Sequence, residues 1–261
     1  MEVAALIVFD HVGKSFQGGQ VKAVDDVSLK VNDGEFLAIV GGSGSGKTTL
    51  LRLANRLIEL DSGSITIEGE DVRRADPVAL RRRIGYVFQS GGLFPHMSVG
   101  ANIGITPKLK GERDTEIAAK VDELLDLVRL ERAAFRDRLP HELSGGQRQR
   151  VGVARALAAR PKIVLMDEPF GALDPLTRDA LSDDYRALHT KLGLTTVMIT
   201  HDMTEAILLA DRIAVMRGGK LLALGTPSEL SQSGDAYVGE LLRTPRRQTE
   251  RLNALLPRGG A

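Results

Sequence analysis

The sequence predicts an α/β fold, in which the strands of a central sheet alternate with helices along the chain. Three runs support this prediction because each is almost continuously apolar: Phe36–Val40 (FLAIV), Ile163–Met166 (IVLM) and Thr196–Thr200 (TVMIT). Parallel strands that are covered by helices on both faces have this composition. Two further candidate strands are Tyr86–Phe88 and Ile213–Met216.

Antiparallel pairs are expected near both ends of the chain, so the predicted sheet system is mixed. The run Val3–Phe9 is short, follows Glu2 and lacks a basic leader, and it therefore predicts a first strand rather than a signal peptide. We expect the N-terminal strands to form a second, small antiparallel sheet. The segment Arg217–Lys220 lies between IAVM and LLAL, and its two glycines predict a hairpin turn.

Helix signals lie between these strands. Asp76 followed by Pro77 predicts a helix start that has a capping carboxylate and a proline in its first turn, and this helix should end near Arg83. Between about residues 90 and 160 the sequence has helical patterns and no obvious strand, which predicts an inserted helical subdomain. One of its helices is marked by apolar residues at helical spacing, namely Ile117, Val121, Leu124, Leu125 and Val128.

The C-terminal end differs in composition from the rest of the chain. From Arg243 onward it is polar and basic, and it ends Arg258-Gly259-Gly260-Ala261. We therefore expect residues 241–261 to form a weakly ordered tail after a domain that spans residues 1–240.

Composition excludes several classes of protein. The apolar fraction of 43% is ample for a buried core, and the net charge of +1 argues against a generally basic nucleic-acid coat. The chain has no Cys, which excludes disulfides, a thiolate nucleophile and Cys-based metal sites. No run of about eighteen apolar residues occurs, so we expect no membrane span and only a peripheral role at a membrane.

A glycine-rich loop follows the strand FLAIV and leads into a helical pattern, as a phosphate-binding loop requires. Residues 41–48 match G-x-x-x-x-G-K-[ST], and Thr49 follows the motif. The candidate ATP contacts are Gly41, Gly42, Ser43, Gly44, Ser45, Gly46, Lys47, Thr48 and Thr49. The glycines let successive backbone N–H groups point at phosphate oxygens. Lys47 should contact the β- and γ-phosphates of ATP, and the Thr48 hydroxyl should be a ligand of Mg²⁺.

Polar residues also end the neighbouring strands. Asp167 and Glu168 follow IVLM, at the carboxyl edge where ligands of open α/β sheets bind. We expect Asp167 to hold Mg²⁺ through water and Glu168 to act as the general base that polarises the attacking water. His201 ends the strand TVMIT and should lie at the same edge, although a lone His is usually structural. Gln89 follows the run Ile84–Phe88 in the same way.

A second glycine motif, LSGGQ, precedes a helix that we expect at Arg148–Ala159. Its Ser144, Gly145, Gly146 and Gln147 could form a second anion site from backbone amides and a hydroxyl. Taken alone, the same residues more often form an ordinary capped helix.

Six segments together resemble the ATPases of the ATP-binding cassette (ABC) family in their order and spacing. They are GGSGSGKTT, Gln89, LSGGQ, IVLMDEP, the segment Ala172–Asp174 and His201. The resemblance covers about residues 6 to 240. It implies a P-loop NTPase fold with a RecA-like mixed sheet core, a small antiparallel β subdomain and an inserted helical subdomain that carries LSGGQ.

The resemblance also implies how the site is assembled. Two copies of the chain would pack head to tail as a homodimer, with each ATP between the phosphate loop of one copy and the signature residues 144–147 of the other. His201 would contact the γ-phosphate, and Asp174 would lie in the loop that joins the subunits. Gln89 would sense both Mg²⁺ and the attacking water. Phe16 occupies the place of the aromatic residue that stacks on adenine, often Tyr in the family; a core Phe at a strand end is the alternative.

A single cassette without a membrane segment resembles the separate ATPase subunit of an importer, bound peripherally at the cytoplasmic face of the membrane. Integral-membrane permease subunits would dock near Gln89–Met97, and a substrate-binding protein would act indirectly. FQSGGLFPHMSVGANI and FRDRLPHELSGGQ resemble cassettes of importers for glycine betaine, choline or related osmoprotectants.

Other functions remain open at this point. The chain could serve an importer of another small solute, or it could be a soluble ABC ATPase that acts on ribosomes or nucleic acid. Such soluble proteins generally join two cassettes or insert a long arm, and neither feature occurs in the sequence, so no nucleic-acid partner is expected. A P-loop kinase would need an acceptor site and has no use for LSGGQ.

Overall fold

Two sheets organise the chain in the computed structural model, which describes residues 5–89 and 91–255. The strands are β1 (Ala5–Phe16), β2 (Val21–Asn32), β3 (Phe36–Val40), β4 (Ser62–Ile67), β5 (Glu70–Asp71), β6 (Ile84–Val87), β7 (Ile163–Asp167), β8 (Thr195–Thr200), β9 (Arg212–Arg217) and β10 (Lys220–Gly225). The helices are α1 (Lys47–Ala54), α2 (Pro77–Arg83), α3 (Val99–Leu109), α4 (Asp114–Leu127), α5 (Arg132–Phe135), α6 (Gly145–Leu157), α7 (Pro175–Leu192), α8 (Met203–Leu209), α9 (Pro227–Ser231) and α10 (Ala236–Leu255).

The larger sheet has the strand order β10-β9-β3-β8-β7-β6, with parallel pairs from β9 to β6 and an antiparallel edge at β10. This order confirms the mixed α/β prediction. The predicted strand Tyr86–Phe88 is displaced, because the residues that pair with β7 are Ile84–Val87 and Phe88 lies beyond the pairing, exposed. Since β3, β6, β7 and β8 run in one direction, the loops that follow them all begin at one edge of the sheet.

The antiparallel predictions are also confirmed. The smaller sheet has the order β2-β1-β4-β5, with β1 antiparallel to both β2 and β4. The first strand extends well beyond Phe9, and residues 1–4 lie outside the described part of the chain. In the β9–β10 hairpin Arg217 pairs with Lys220, and the two glycines between them have φ of 56° and 81°, which suits a two-residue turn.

Alternate side chains of the larger sheet face two separate cores. In β3, Phe36, Ala38 and Val40 belong to a cluster that continues into α3, α4, α6 and α7. Leu37 and Ile39 face the other cluster, which includes β1, β2 and α1. Burial on both faces explains why the strand sequences are almost continuously apolar.

Helices α3–α6 occupy the stretch in which the helical subdomain was expected, and no strand occurs among residues 91–160. The apolar stripe of α4 is buried as its spacing predicts, with Ile117 partly buried beside Val121, Leu124, Leu125 and Val128. Asp76 accepts a hydrogen bond from the Ala79 N–H at 2.7 Å, so α2 begins as predicted. The helix expected at Arg148–Ala159 instead begins at Gly145, because the Ser144 side chain caps it there.

The expectation of a weakly ordered C-terminal tail is wrong for residues 241–255, which belong to α10. Its first turn is anchored by Val238, which is fully buried in the core. Further along, Glu250 forms an ion pair with Arg246 one turn away. The remaining residues of the expected tail, 256–261, lie outside the described residues, and the domain division at residue 240 stays a prediction. Within residues 5–89 and 91–255 no helix is both long and apolar enough to cross a membrane.

Candidate nucleotide-binding site

The phosphate loop wraps around the side chain of Lys47. The Lys47 Nζ donates to Gly41 O at 2.8 Å, to Gly42 O at 3.0 Å and to Ser45 Oγ at 3.3 Å. The residue is only 7% exposed, and burial lowers the pKa of its ammonium, a shift that the carboxylates of Glu168 and Asp167 oppose. The loop therefore concentrates positive charge at the end of β3.

Glycine is required where the loop meets α1. Gly46 has φ of 97°, and a Cβ at this position would lie 2.1 Å from Ala23 O. Among residues 5–89 and 91–255 no side chain caps the first turn of α1, so the backbone N–H groups at its start keep the partial positive charge of a helix N-terminus without a side-chain acceptor. This cradle fits the phosphates of a nucleotide.

Thr48 and Asp167 place two hard oxygen donors beside the loop. Thr48 Oγ1 donates to Asp167 Oδ1 at 3.0 Å, and Asp167 is 3% exposed. Burial raises the pKa of the Asp167 carboxyl, and the hydrogen bond from Thr48 opposes that shift. The described residues contain no cluster of three or more His, Cys, Asp or Glu side chains that could hold a metal. One hydroxyl and one carboxylate instead suit Mg²⁺, which proteins usually bind through one or two carboxylates together with substrate phosphates.

Three strand ends bring Glu168, Gln89 and His201 together. Glu168 follows β7, and its Oε2 accepts a hydrogen bond from Gln89 Nε2 at 3.0 Å. His201 follows β8, and its Nδ1 lies 3.4 Å from the same oxygen. The backbone of Glu168 has φ of 48° and donates its N–H to Ile199 O at 3.0 Å, which orients the side chain. The predicted polar residues thus lie at one sheet edge, while their chemical roles stay predictions.

Phe16 lies at the mouth of the phosphate loop. It is 41% exposed, so the alternative interpretation as a core residue is wrong. The Lys14 Nζ lies 5.6 Å from the centroid of its ring. A cleft of about 320 Å³ is lined by Phe16, Val21, Lys22, Ala23 and residues 44–49. An exposed aromatic face beside a phosphate cradle is suited to stacking on a base.

The LSGGQ residues lie apart from this site. Ser144 and Gln147 satisfy each other: Ser144 Oγ accepts from the Gln147 N–H at 3.2 Å, and Gln147 Oε1 accepts from the Ser144 N–H at 2.9 Å. Ser144 and Gly145 are exposed. Among residues 5–89 and 91–255 no hydrogen bond joins residues 144–147 to the phosphate loop.

Asp174 is likewise exposed, and it caps α7 by accepting a hydrogen bond from the Thr177 N–H at 3.0 Å. The hydrogen bonds with Thr177 lower the pKa of the Asp174 carboxyl. Its expected place between two subunits stays a prediction.

Two contacts of the phosphate loop were not anticipated from the sequence. Gly42 N–H donates to the Tyr237 hydroxyl at 3.1 Å, and Gly219 N–H donates to Ser45 O at 3.2 Å. The sequence indicated the glycine turn that contains Gly219, but it did not indicate that this turn contacts Ser45. Tyr237 carried no signal, because nothing in the local pattern relates the start of α10 to the loop.

The fold and the contacts of Lys47, Thr48 and Asp167 define a P-loop nucleotide-binding domain of the α/β class. The chain belongs to the ABC transporter family, whose model matches residues 24–171. This membership confirms the resemblance that the six sequence segments indicated.

Known relatives and solved structures agree with this assignment. Choline transport ATP-binding protein OpuBA of Bacillus subtilis (strain 168) is 48% identical over 91% of this chain, which spans 62% of the length of that relative. Glycine betaine uptake system ATP-binding protein YehX of Escherichia coli (strain K12) is 50% identical over 85% of this chain and 71% of its own length. A solved dimeric structure of an ATP-binding cassette in a post-hydrolysis state, bound to ADP and Pi, matches this chain with a TM-score of 0.79 and 32% identity. The matched region covers 84% of this chain and 98% of the chain in that structure.

Proposed function

We propose that this chain is the Mg²⁺-dependent ATPase subunit of an ABC importer for quaternary-amine osmoprotectants. The observation that carries the proposal is the convergence of Lys47, the Thr48–Asp167 pair and Glu168 at one edge of the parallel sheet. A phosphate cradle, a hard-oxygen pair and a carboxylate are the parts that hydrolysis of a nucleoside triphosphate needs.

The phosphate loop would bind the phosphates of ATP. Lys47 can exchange two of its loop acceptors, Gly42 O and Ser45 Oγ, for oxygens of the β- and γ-phosphates while it keeps Gly41 O, and the N–H groups at the start of α1 bind the same oxygens. Thr48 and Asp167 would hold Mg²⁺, which supplies charge neutralisation at the phosphates when bound. Phe16 would stack on the adenine ring.

Glu168 is the proposed general base. Gln89 and His201 both approach its Oε2, so Oε1 remains to accept the proton of a water molecule. The water oxygen forms a bond to the γ-phosphorus while the bond between that phosphorus and the ADP oxygen breaks. Gln89 and His201 would orient the Glu168 carboxylate, and His201 would also contact the γ-phosphate.

A second copy of the chain would complete each site. The signature residues Ser144–Gln147 are placed at the start of α6 and away from their own phosphate loop, which suits a contact in trans. Head-to-tail packing would bring them, together with Asp174, to the nucleotide of the partner. The dimeric state of the matched cassette structure supports this arrangement.

A groove beside the edge strand β6 of the larger sheet is the proposed docking site for a membrane permease. It has a volume of about 450 Å³, and four of its lining residues are exposed and apolar, namely Leu57, Phe88, Phe94 and Leu109. Asn55 and Tyr86 also line the groove. A short helix with an apolar face would fit this groove.

Docking there would hold the chain peripherally at the cytoplasmic face of the membrane, and a substrate-binding protein would contribute only through the permease. The names of the relatives, which refer to choline transport and glycine betaine uptake, support the osmoprotectant class. Selectivity itself would belong to the other subunits.

Copurification from detergent-solubilised membranes tests the proposal. We expect permease subunits to copurify, and vesicles that contain the complex to accumulate glycine betaine or choline only with ATP. Phe94→Asp should abolish copurification and leave the ATP hydrolysis of the isolated chain intact. The matched control Leu252→Asp changes an exposed leucine on α10 outside the groove, and it should copurify normally. Recovery of ribosomes in place of permeases would overturn the proposal, and uptake of a different solute would overturn its substrate class.

A further inference from the structure

The peptide between Gly41 and Gly42 is hydrogen-bonded at both of its polar atoms. Its carbonyl oxygen, Gly41 O, accepts from Lys47 Nζ at 2.8 Å. Its amide, the Gly42 N–H, donates to the Tyr237 hydroxyl at 3.1 Å. One peptide of the phosphate loop is therefore held on one side by the lysine and on the other by a residue of α10.

The orientation of this peptide is not determined by the local sequence. Both flanking residues are glycines, whose backbone dihedrals are less restricted than those of any other residue. Gly41 cannot be replaced by a stiffer residue, because a Cβ there would lie 2.1 Å from Met216 O. If the peptide rotated, its carbonyl would turn away from Lys47 and the ammonium would lose one acceptor. The Tyr237 hydroxyl opposes that rotation, because only one orientation points the Gly42 N–H toward it.

Tyr237 is itself held in place. The Asp235 Oδ1 accepts hydrogen bonds from the N–H groups of Tyr237 and Val238 at 2.8 and 3.0 Å, which caps the first turn of α10. Val238 is fully buried in the core. The guanidinium carbon of Arg217 lies 4.7 Å from the centroid of the Tyr237 ring. These contacts hold the Tyr237 hydroxyl in a defined position relative to the core.

We propose that Tyr237 is a positioning residue for nucleotide binding, which fixes the Gly41–Gly42 peptide and through it the ammonium of Lys47. The inference rests on the proposed function, because it assumes that Lys47 binds the phosphates of ATP. It also joins α10 to the site, so that a displacement of the first turn of α10 changes the environment of Lys47. Preorganisation of this kind raises affinity by reducing the ordering that binding requires.

Tyr237→Phe tests the proposal in the full chain, because it removes the hydroxyl and keeps the ring on Arg217. We expect calorimetry to show ATP binding about fivefold weaker, the factor that corresponds to one ordinary hydrogen bond. KM for ATP should rise by a similar factor while kcat stays within roughly twofold, since the hydroxyl does not touch the reacting atoms. The amide hydrogen of Gly42 should exchange with solvent faster in NMR spectra.

Tyr185→Phe is the matched control. It also removes one hydroxyl hydrogen bond, to Thr196 Oγ1 at 2.8 Å, but Thr196 pairs with Phe36 at the opposite edge of the sheet from the phosphate loop. This variant should lower Tm and leave ATP affinity unchanged. Wild-type ATP affinity in Tyr237→Phe, a loss no larger than that of Tyr185→Phe, or unchanged Gly42 exchange would each overturn the inference. A wild-type chain that binds no ATP would instead overturn the proposed function, and Gly42 exchange would still decide whether Tyr237 holds the loop.

Discussion

The chain has two glycine-rich helix starts, and they are built in opposite ways. At the start of α1 the N-cap is Gly46 in a left-handed conformation, and no side chain in the described part of the chain caps the first turn. At the start of α6, Ser144 and Gln147 form a reciprocal capping box. The first helix start has backbone donors without a side-chain cap, whereas the second has already used some of its donors within its own chain.

Their surroundings differ as well. The phosphate loop lies beside the buried carboxylate of Asp167, with Glu168 next to it and the β9–β10 turn on its flank. Ser144 and Gly145 of the signature segment are exposed, and a Cβ at Gly146 would lie 3.2 Å from Leu173 Cδ2 of its own chain. A helix N-terminus becomes a chemical site only where tertiary structure adds charged groups beside it, which is why we assign the chemistry to the first region and a completing role in trans to the second.

The largest effect is expected for a substitution of Glu168, beside the phosphate loop. Glu168→Gln keeps the shape of the side chain but removes the base, so ATP turnover should fall by about 10²- to 10⁴-fold while ATP binding persists. A dimer that depends on ATP should accumulate in sedimentation experiments. Glu131→Gln, at an exposed carboxylate of the helical region, is the control and should hydrolyse ATP normally. Near-normal hydrolysis by Glu168→Gln would remove this residue from the mechanism.

A pair of inactive variants tests whether the two regions meet across a dimer. Lys47→Ala should bind ATP about 100-fold more weakly, because charge-assisted hydrogen bonds to the phosphates are lost. Ser144→Arg places bulk and charge on the signature segment. Each homodimer then has two damaged sites, so both variants should be nearly inactive.

Mixing the two variants regenerates one intact site per mixed dimer, because the phosphate loop of the Ser144→Arg chain meets the signature of the Lys47→Ala chain. ATP hydrolysis should therefore reappear in the mixture. Differential affinity tags verify that mixed dimers form, and a tagged dimer with one wild-type site verifies that one site turns over alone. With both controls satisfied, activity that stays at the level of the parents would contradict the head-to-tail arrangement.

Alanine substitutions of one glycine from each region should affect stability differently. Gly46→Ala should lower the free energy of unfolding by about 2–4 kcal/mol, because its Cβ would meet Ala23 O and its φ is positive. Gly145 is helical and a Cβ there would make an ordinary contact with Arg148 Nη2 at 3.9 Å, so Gly145→Ala should be neutral or stabilising by up to about 1 kcal/mol. Urea denaturation of the isolated chain measures both values. Equal losses would contradict the contrast drawn between the two helix starts.

The smallest expected effect concerns the adenine side of the first region. Phe16→Ala should weaken ATP binding by about 2- to 10-fold, since one aromatic stacking contact is lost. Phe16→Tyr should bind ATP as the wild type does, because the ring is kept. Calorimetry with ATP and with inorganic triphosphate separates stacking from phosphate binding: the affinity for triphosphate should be the same in all three proteins. A loss of triphosphate affinity in Phe16→Ala would show that Phe16 acts on the loop.

Much of the phosphate site was predictable because its signals are local. The loop motif needs only a strand before it and a helix after it, and both are recognisable from apolar patterning around residues 36–53. The convergence of Gln89, Glu168 and His201 followed from one further rule, that parallel strands end at a common edge. The exact start of α6 was missed, because glycines are poor helix formers and the capping by Ser144 outweighs them.

The sequence by itself determined the α/β class, the phosphate cradle and the polar residues at the strand ends, since each depends on short-range patterns of hydrophobicity and backbone freedom. Only the tertiary structure decided that residues 241–255 continue a helix and that Tyr237 contacts Gly42. These two residues are 195 positions apart, and their contact depends on how α10 packs through Val238 onto the core. No local pattern encodes such a contact, because the summed burial of many distant side chains sets the position of the helix.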